Sequence, residues 1–148
     1  MSDCWRRDLR LDPPSGPVKK SPMELINDTP HVPAAVGPYS QAVRSGSFLF
    51  CSGQIPIDPG TGKIEAADIE GQTSQVFANL KALLRAQGRS LTDVVKATVF
   101  LQDMADFAKV NPLYADAFGG HKPARSTVQV AGLPLGARIE IEVIVEMD

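Results

Sequence analysis

Residues 94–101 read Val-Val-Lys-Ala-Thr-Val-Phe-Leu, a β-branched and nearly continuous run that reads as a strand buried on both faces. A helical pattern stands on each side of it. Before it, over residues 68–87, Val76, Phe77, Leu80, Leu83 and Leu84 recur at i, i+1, i+4, i+7 and i+8, the stripe of an amphipathic helix. Gly88 is placed to end that helix as its C′ residue, and Lys81 and Arg85 fall in the last turns, where the carbonyl end of the helix dipole favours cations. After the strand, residues 106–118 return to helical spacing through Phe107, Val110, Tyr114 and Phe118, with Pro112 inside. Two readings of that segment stand. Either a turn ends near Val110 and a new helix starts with Asn111 as N-cap and Pro112 at its first position, or a single helix is kinked there.

Further out, residues 39–44 and 47–52 are short strand-like runs joined by Ser45-Gly46, a hairpin whose tight turn uses the tolerance of glycine for positive φ. Asp58-Pro59-Gly60-Thr61-Gly62 is dense turn chemistry and reads as a surface loop. Residues 119–123 form a loop into a strand over 125–130, and 133–136 turn the chain into the last strand, 138–146. The order β-β-α-β-α-β-β is an α+β pattern, with the two helices packed on one face of a mixed β-sheet. The other face has to be covered or polar. Residues 1–22 carry five basic and three acidic residues and four prolines with no persistent period, so they read as a flexible leader before one domain spanning 23–148. Arg6, Arg7 and Arg10 suggest a transit peptide and Asp3, Asp8 and Asp12 argue against one. An expression remnant or an alternative start at Met23 accounts for the leader as well.

A length of 148 residues with 43% hydrophobic and 22% charged residues suits one compact domain. A net charge of −2 gives no electrostatic reason for a nucleic-acid or anionic-membrane partner. Cys4 and Cys51 lie far apart and form neither a disulfide framework nor a metal-ligand spacing, which points to a reducing, cytoplasmic setting. The two histidines, His31 and His121, stand in no HExxH pattern and near no cysteine pair, so neither a zinc centre nor a Ser-His-Asp triad is expected. No apolar run approaches the roughly 20 residues of a membrane span.

The residues able to carry chemistry sit mostly on the last two strands. In Arg138-Ile-Glu-Ile-Glu-Val-Ile-Val-Glu146, Ile139, Ile141, Val143 and Val145 point one way and Glu140, Glu142 and Glu146 the other. These glutamates form either a solvated acidic face or, for one of them, a general base in a partly closed cleft. Arg125, Thr127 and Gln129 share one face of the preceding strand. Arg125 is either half of a surface ion pair or a guanidinium fork for a substrate carboxylate. The segments 37–41 and 52–54 flank the hairpin with small and hydroxyl residues, either as turns or as places where a ligand approaches the backbone. Tyr39 packs its ring at a subunit boundary or lines a site, and Asn111 caps a helix or does the same.

Taken together, Val36-Gly-Pro-Tyr-Ser-Gln41, Ser52-Gly-Gln54, Asn79-Leu80, Asp106-Phe107 with Val110-Asn111 and Tyr114, Pro123-Ala-Arg125 and Ile139-Glu-Ile-Glu142 occur in the order and spacing of the RidA (YjgF/YER057c/UK114) family. The chain resembles that family over residues 23–148. The resemblance implies a chorismate-mutase-like α+β fold that forms a homotrimer with clefts between subunits. It also implies cofactor-free, metal-free hydrolysis of 2-aminoacrylate and related enamines or 2-imino acids to 2-keto acids and ammonia. By position, Arg125 matches the arginine that grips the substrate carboxylate and Glu140 the glutamate associated with the attacking water. Tyr39, Ser52, Gly53 and Asn111 match residues that line the pocket. Thr127 stands where many relatives carry a cysteine whose backbone contacts the ligand, which removes any argument for thiol chemistry. Substrate choice is expected to follow the loops at 58–65 and 119–122. Other roles credited to such proteins remain open at this level: sensing of 2-keto acids without catalysis, chaperone-like holding, a pathway-specific deaminase, or RNA cleavage, the last disfavoured by the chain's mild acidity.

Overall fold

The computed structural model describes residues 16, 17 and 20–148, so most of the leader expected over 1–22 lies outside the described residues. In chain order the elements are β1 (Glu24–Ile26), β2 (Ala42–Ser45), β3 (Phe48–Gln54), β4 (Ile57–Asp58), β5 (Lys63–Ile64), α1 (Ile69–Ala86), β6 (Val94–Leu101), α2 (Phe107–Phe118), β7 (Ala124–Gln129) and β8 (Ile139–Glu146). Strands β1-β2-β3-β8-β6-β7 form one sheet in that order, antiparallel except for the parallel edge pair β6–β7. The mixed sheet with two helices is the expected α+β architecture. The short β1, and the β4–β5 hairpin where a plain loop was expected, are additions to it.

Helix α1 begins at Asp68, whose Oδ2 accepts from the Gly71 N–H at 3.1 Å. It ends as its sequence prescribes: Gly88 takes φ +68°, and the Arg89 and Gly88 N–H groups close back on the Leu84 and Arg85 carbonyls at 2.9 and 3.0 Å. Helix α2 runs without interruption through Pro112, so of the two readings the single helix holds and Asn111 is an interior residue, not a cap. The bond that Pro112 cannot donate would have gone to the carbonyl of Ala108 in an exposed turn, where water can replace it.

The core lies between the helices and one sheet face. Val76, Leu80, Leu83 and Leu84 of α1 and Val110 and Phe118 of α2 pack on Ile139, Ile141, Val143 and Val145 of β8 and Ala97, Val99 and Leu101 of β6. The strict alternation expected of β8 is present. Strand β6 differs from its expectation: within one chain it buries a single face, while Val95 is exposed and Lys96, Thr98 and Phe100 are half-buried. Its other face, which carries Lys96, Thr98 and Phe100, belongs to an uncovered side of the sheet, where Leu25, Val43, Phe50 and Ile144 stand in one cross-strand row and Leu25 and Phe50 are 64% and 46% exposed.

Three buried polar side chains tie the layers together. The Asn79 amide donates to the Ile55 and Ile57 carbonyls at 3.2 and 2.9 Å, fixing the β3–β4 connection to α1. Gln72 donates to the Ala66 carbonyl at 3.0 Å and accepts from the Arg138 N–H at 2.8 Å. The Arg138 guanidinium meets both oxygens of the buried Asp106 at 2.9 and 3.0 Å, joining the start of β8 to that of α2. Removing the Asn79 amide strands two carbonyls at once. Asn79→Ala is therefore expected to destabilise the fold by about 2–4 kcal/mol, measured by urea unfolding; a loss under about 0.5 kcal/mol would mean that water replaces the clamp.

Candidate functional site

Two groups of candidate residues form, one on each side of the sheet. The first lies at the open end of α2, where the 119–123 loop turns into β7. Gly119 and Gly120 adopt φ +59° and +97°, and His121 anchors the loop through its N–H on the Phe118 carbonyl at 3.1 Å and its ring Nε2 on the Val94 carbonyl at 2.6 Å. Between loop, helix and strand lies an open cleft of about 470 Å³. Arg125 enters it from β7. Its Nη1 donates to the Asn111 Oδ1 at 2.8 Å, and the guanidinium stacks on the Tyr114 and Phe107 rings at 4.7 and 5.5 Å from their centroids. The expected alternative for Arg125, a surface ion pair with the β8 glutamates, does not form among the described residues. Three groups thus fix the plane of a fork whose charge is left for something else.

On this side of the sheet two buried hydroxyls have no hydrogen-bond partner among the described residues, that of Tyr114, whose ring lies under the fork, and the Thr127 Oγ1. Burial pushes the Tyr114 phenol up from its ordinary range, partly offset by the Arg125 charge, so it remains a protonated donor at neutral pH.

The second group lies on the uncovered face. Strand β3 carries a bulge between Cys51 and Gln54 against β8, which re-aims Gly53 toward Glu140. A Cβ at residue 53 would overlap the Glu140 Oε1 and fall 2.8 Å from its Cδ, so only glycine leaves the carboxylate its place. The Ser52 hydroxyl donates to the Ser40 carbonyl at 2.6 Å and is thereby committed to holding the preceding segment against β3. Gln41 completes that segment, accepting from the Thr29 N–H at 3.0 Å and donating to the Pro33 carbonyl at 2.8 Å, and Tyr39 projects from it with 53% exposure. The Glu140 carboxyl is half-buried; burial raises its pKa, and the neighbouring Glu142 raises it further.

Strand register separates the two groups. Arg125 and Thr127 align with Ala97 and Val99, which face the helices, whereas Glu140 aligns with Phe100, which faces away. One chain therefore assembles Arg125, Asn111 and Thr127 in one place and Tyr39, Ser52, Gly53 and Glu140 in another, and brings no member of one set to the other. No group of three or more His, Cys, Asp or Glu among the described residues is arranged to hold a metal ion. Cys51 is buried and its thiol is pushed up to about 12 by that burial, which makes it a packing residue. No helix among the described residues is long and apolar enough to cross a membrane.

The family model described as Endoribonuclease L-PSP matches residues 29–147, a span that contains both groups. The chain belongs to this family, the one its motifs resemble under the name RidA. A RutC family protein of Pyrococcus horikoshii is 57% identical over 122 residues, 82% of this chain and 97% of that one. A Salmonella typhimurium protein named 2-iminobutanoate/2-iminopropanoate deaminase is 49% identical over 119 residues, 78% of this chain and 92% of its own. Among solved structures, Escherichia coli TdcF with bound serine superposes with a TM-score of 0.79 at 44% identity, covering 84% of this chain and all of TdcF.

Tyr114 was quoted in the family pattern but not counted as a site residue. The signal was present, since a residue three positions after Asn111 lies on the same helix face. For Glu140 the raised pKa has a defined sign. Folding favours its protonated form, so its contribution to stability is present below the ordinary glutamate range and is lost as pH rises through the raised value. Glu140→Gln is expected to melt at or above the wild-type temperature at neutral pH, and an NMR titration should place the Glu140 carboxyl above that of an exposed glutamate. Gly53→Ala should fold and lower that titration toward the ordinary range, because the new methyl expels the carboxylate from its niche; an unchanged titration would contradict the contact.

Proposed function

We propose that the protein is a cofactor-free deaminase that hydrolyses 2-aminoacrylate and related 2-imino acids to 2-keto acids and ammonia. We further propose that it works as a homotrimer, with each site combining the Arg125 group of one chain with the Glu140 group of another in the chorismate-mutase-like arrangement. The observation that carries the reading is the Arg125 fork, fixed by Asn111 and two aromatic rings in a cleft lined by no carboxylate. A planar fork of that kind is the natural partner of a substrate carboxylate. The deaminase name of the Salmonella relative and the serine bound to TdcF support the same class of ligand.

The chemistry asks little of the protein. A 2-imino acid already has an electrophilic C2, and an enamine reaches that form by moving a proton to C3. Arg125 fixes the carboxylate and with it the position of C2. With the imine protonated on nitrogen, Glu140 accepts a proton from water as the water oxygen bonds to C2, giving a neutral carbinolamine; Glu140 returns that proton to nitrogen, and as the C–N bond breaks it takes up the hydroxyl proton, leaving the ketone and ammonia. Proton transfer by a positioned carboxylate contributes typically about 10²–10⁴-fold. A raised pKa makes Glu140 a better proton acceptor than an ordinary glutamate, provided the pH keeps it ionised.

The separation of the two groups and the uncovered apolar row both support assembly. A second copy laid over Leu25, Phe50 and their neighbours would remove that surface from water and bring a Glu140 group toward an Arg125 group. RNA cleavage finds less support, since 15 basic against 17 acidic residues offer little phosphate-neutralising charge. Arg125→Ala is expected to lower kcat/KM by about 100-fold or more with the oligomer intact by light scattering; near wild-type turnover would sink the proposal. Glu140→Gln should abolish most turnover while 2-oxobutanoate still binds by calorimetry. If the wild type binds 2-oxobutanoate yet accelerates no imine hydrolysis, the protein is a sensor of 2-keto acids.

A further inference from the structure

The cleft around Arg125 is more positive than a small imine requires. Beyond Arg125 it is lined by Lys122 and His121, and no acidic residue faces it. Neither Lys122 nor Arg125 forms an ion pair among the described residues. The loop that presents Lys122 is held firmly, with His121 fixed on the Val94 and Phe118 carbonyls, so the lysine stem starts from a set point while its ammonium can swing.

From its second cation and the absence of any facing carboxylate, we infer that the cleft selects 2-imino acids and 2-keto acids whose side chain ends in a second carboxylate. Arg125 takes the carboxylate beside C2 and Lys122 the distal one. The inference rests on the proposed reading of Arg125 as a carboxylate fork and adds the side-chain class. A substrate with an alkyl side chain would leave the Lys122 charge unused.

The test compares binding of 2-oxopentanedioate and 2-oxobutanoate by calorimetry to the full-length protein and to Lys122→Gln. Turnover of the imines of glutamate and alanine, generated in place by amino-acid oxidases, is measured alongside. A wild-type preference for the dicarboxylate of about tenfold or more, falling by about tenfold in Lys122→Gln, is the expected result. Equal or weaker binding of the dicarboxylate, or a preference that survives Lys122→Gln, overturns the inference. A Lys122-dependent preference without turnover of either imine upholds the distal contact and removes the deaminase reading, so the two failures are distinguishable.

Discussion

Strand β8 is hydrogen-bonded on both sides, to β3 and to β6, and the period of two imposed by that ladder governs the rest of the molecule. Its Ile139, Ile141, Val143 and Val145 must enter the core for the helices to have anything to pack on. Glu140 is thereby sent to the opposite face. The same alternation, passed through β6 to the parallel edge strand β7, places Arg125 on the helix side. A one-residue slip would put charge into the core and is forbidden by the cost of burying it. The division of the candidate site into two groups follows directly from how this sheet is built.

Several motif residues that look like chemistry are scaffold. Gln41 and Asn79 are buried amides already committed, Gln41 to the Thr29 N–H and the Pro33 carbonyl and Asn79 to the Ile55 and Ile57 carbonyls and the Gln75 amide. The Ser52 hydroxyl is likewise committed to Ser40. What they hold in place is more telling: a glycine-floored niche for Glu140 and a stacked, carboxylate-free setting for Arg125. Both are unfavourable arrangements for a free-standing chain, since one favours protonation of an acid and the other leaves an arginine without a counter-ion.

The helices, the hairpin and the strand faces were legible because each depends on local periodicity: the α1 stripe, the Gly88 stop and the alternation of β8 all appear as read. The β3 bulge was not legible, because it depends on pairing with β8 across most of the chain, and with it went the reason for Gly53. The status of Asn111 could not be decided from sequence, since Pro112 permits a helix start or a helix interior, and only packing of α2 on the core selects the latter. Composition makes β6 look buried on both faces, whereas the structure buries only the face of Ala97, Val99 and Leu101 and leaves the other partly exposed. Family resemblance named Arg125 and Glu140 together; the strand register alone separates them. Tyr114 was visible only as part of a motif, its role emerging once Arg125 was seen to lie across its ring.

The most direct measurement is complementation between two inactive variants. Arg125→Ala and Glu140→Gln chains are unfolded together, refolded as a mixture and assayed for ammonia release from 2-aminoacrylate generated in place. If each site takes its arginine from one chain and its glutamate from another, random mixing in equal amounts restores about one quarter of the wild-type sites, and activity returns although neither variant has any alone. A mixture as inactive as its components, from chains shown to co-assemble, would contradict the shared site.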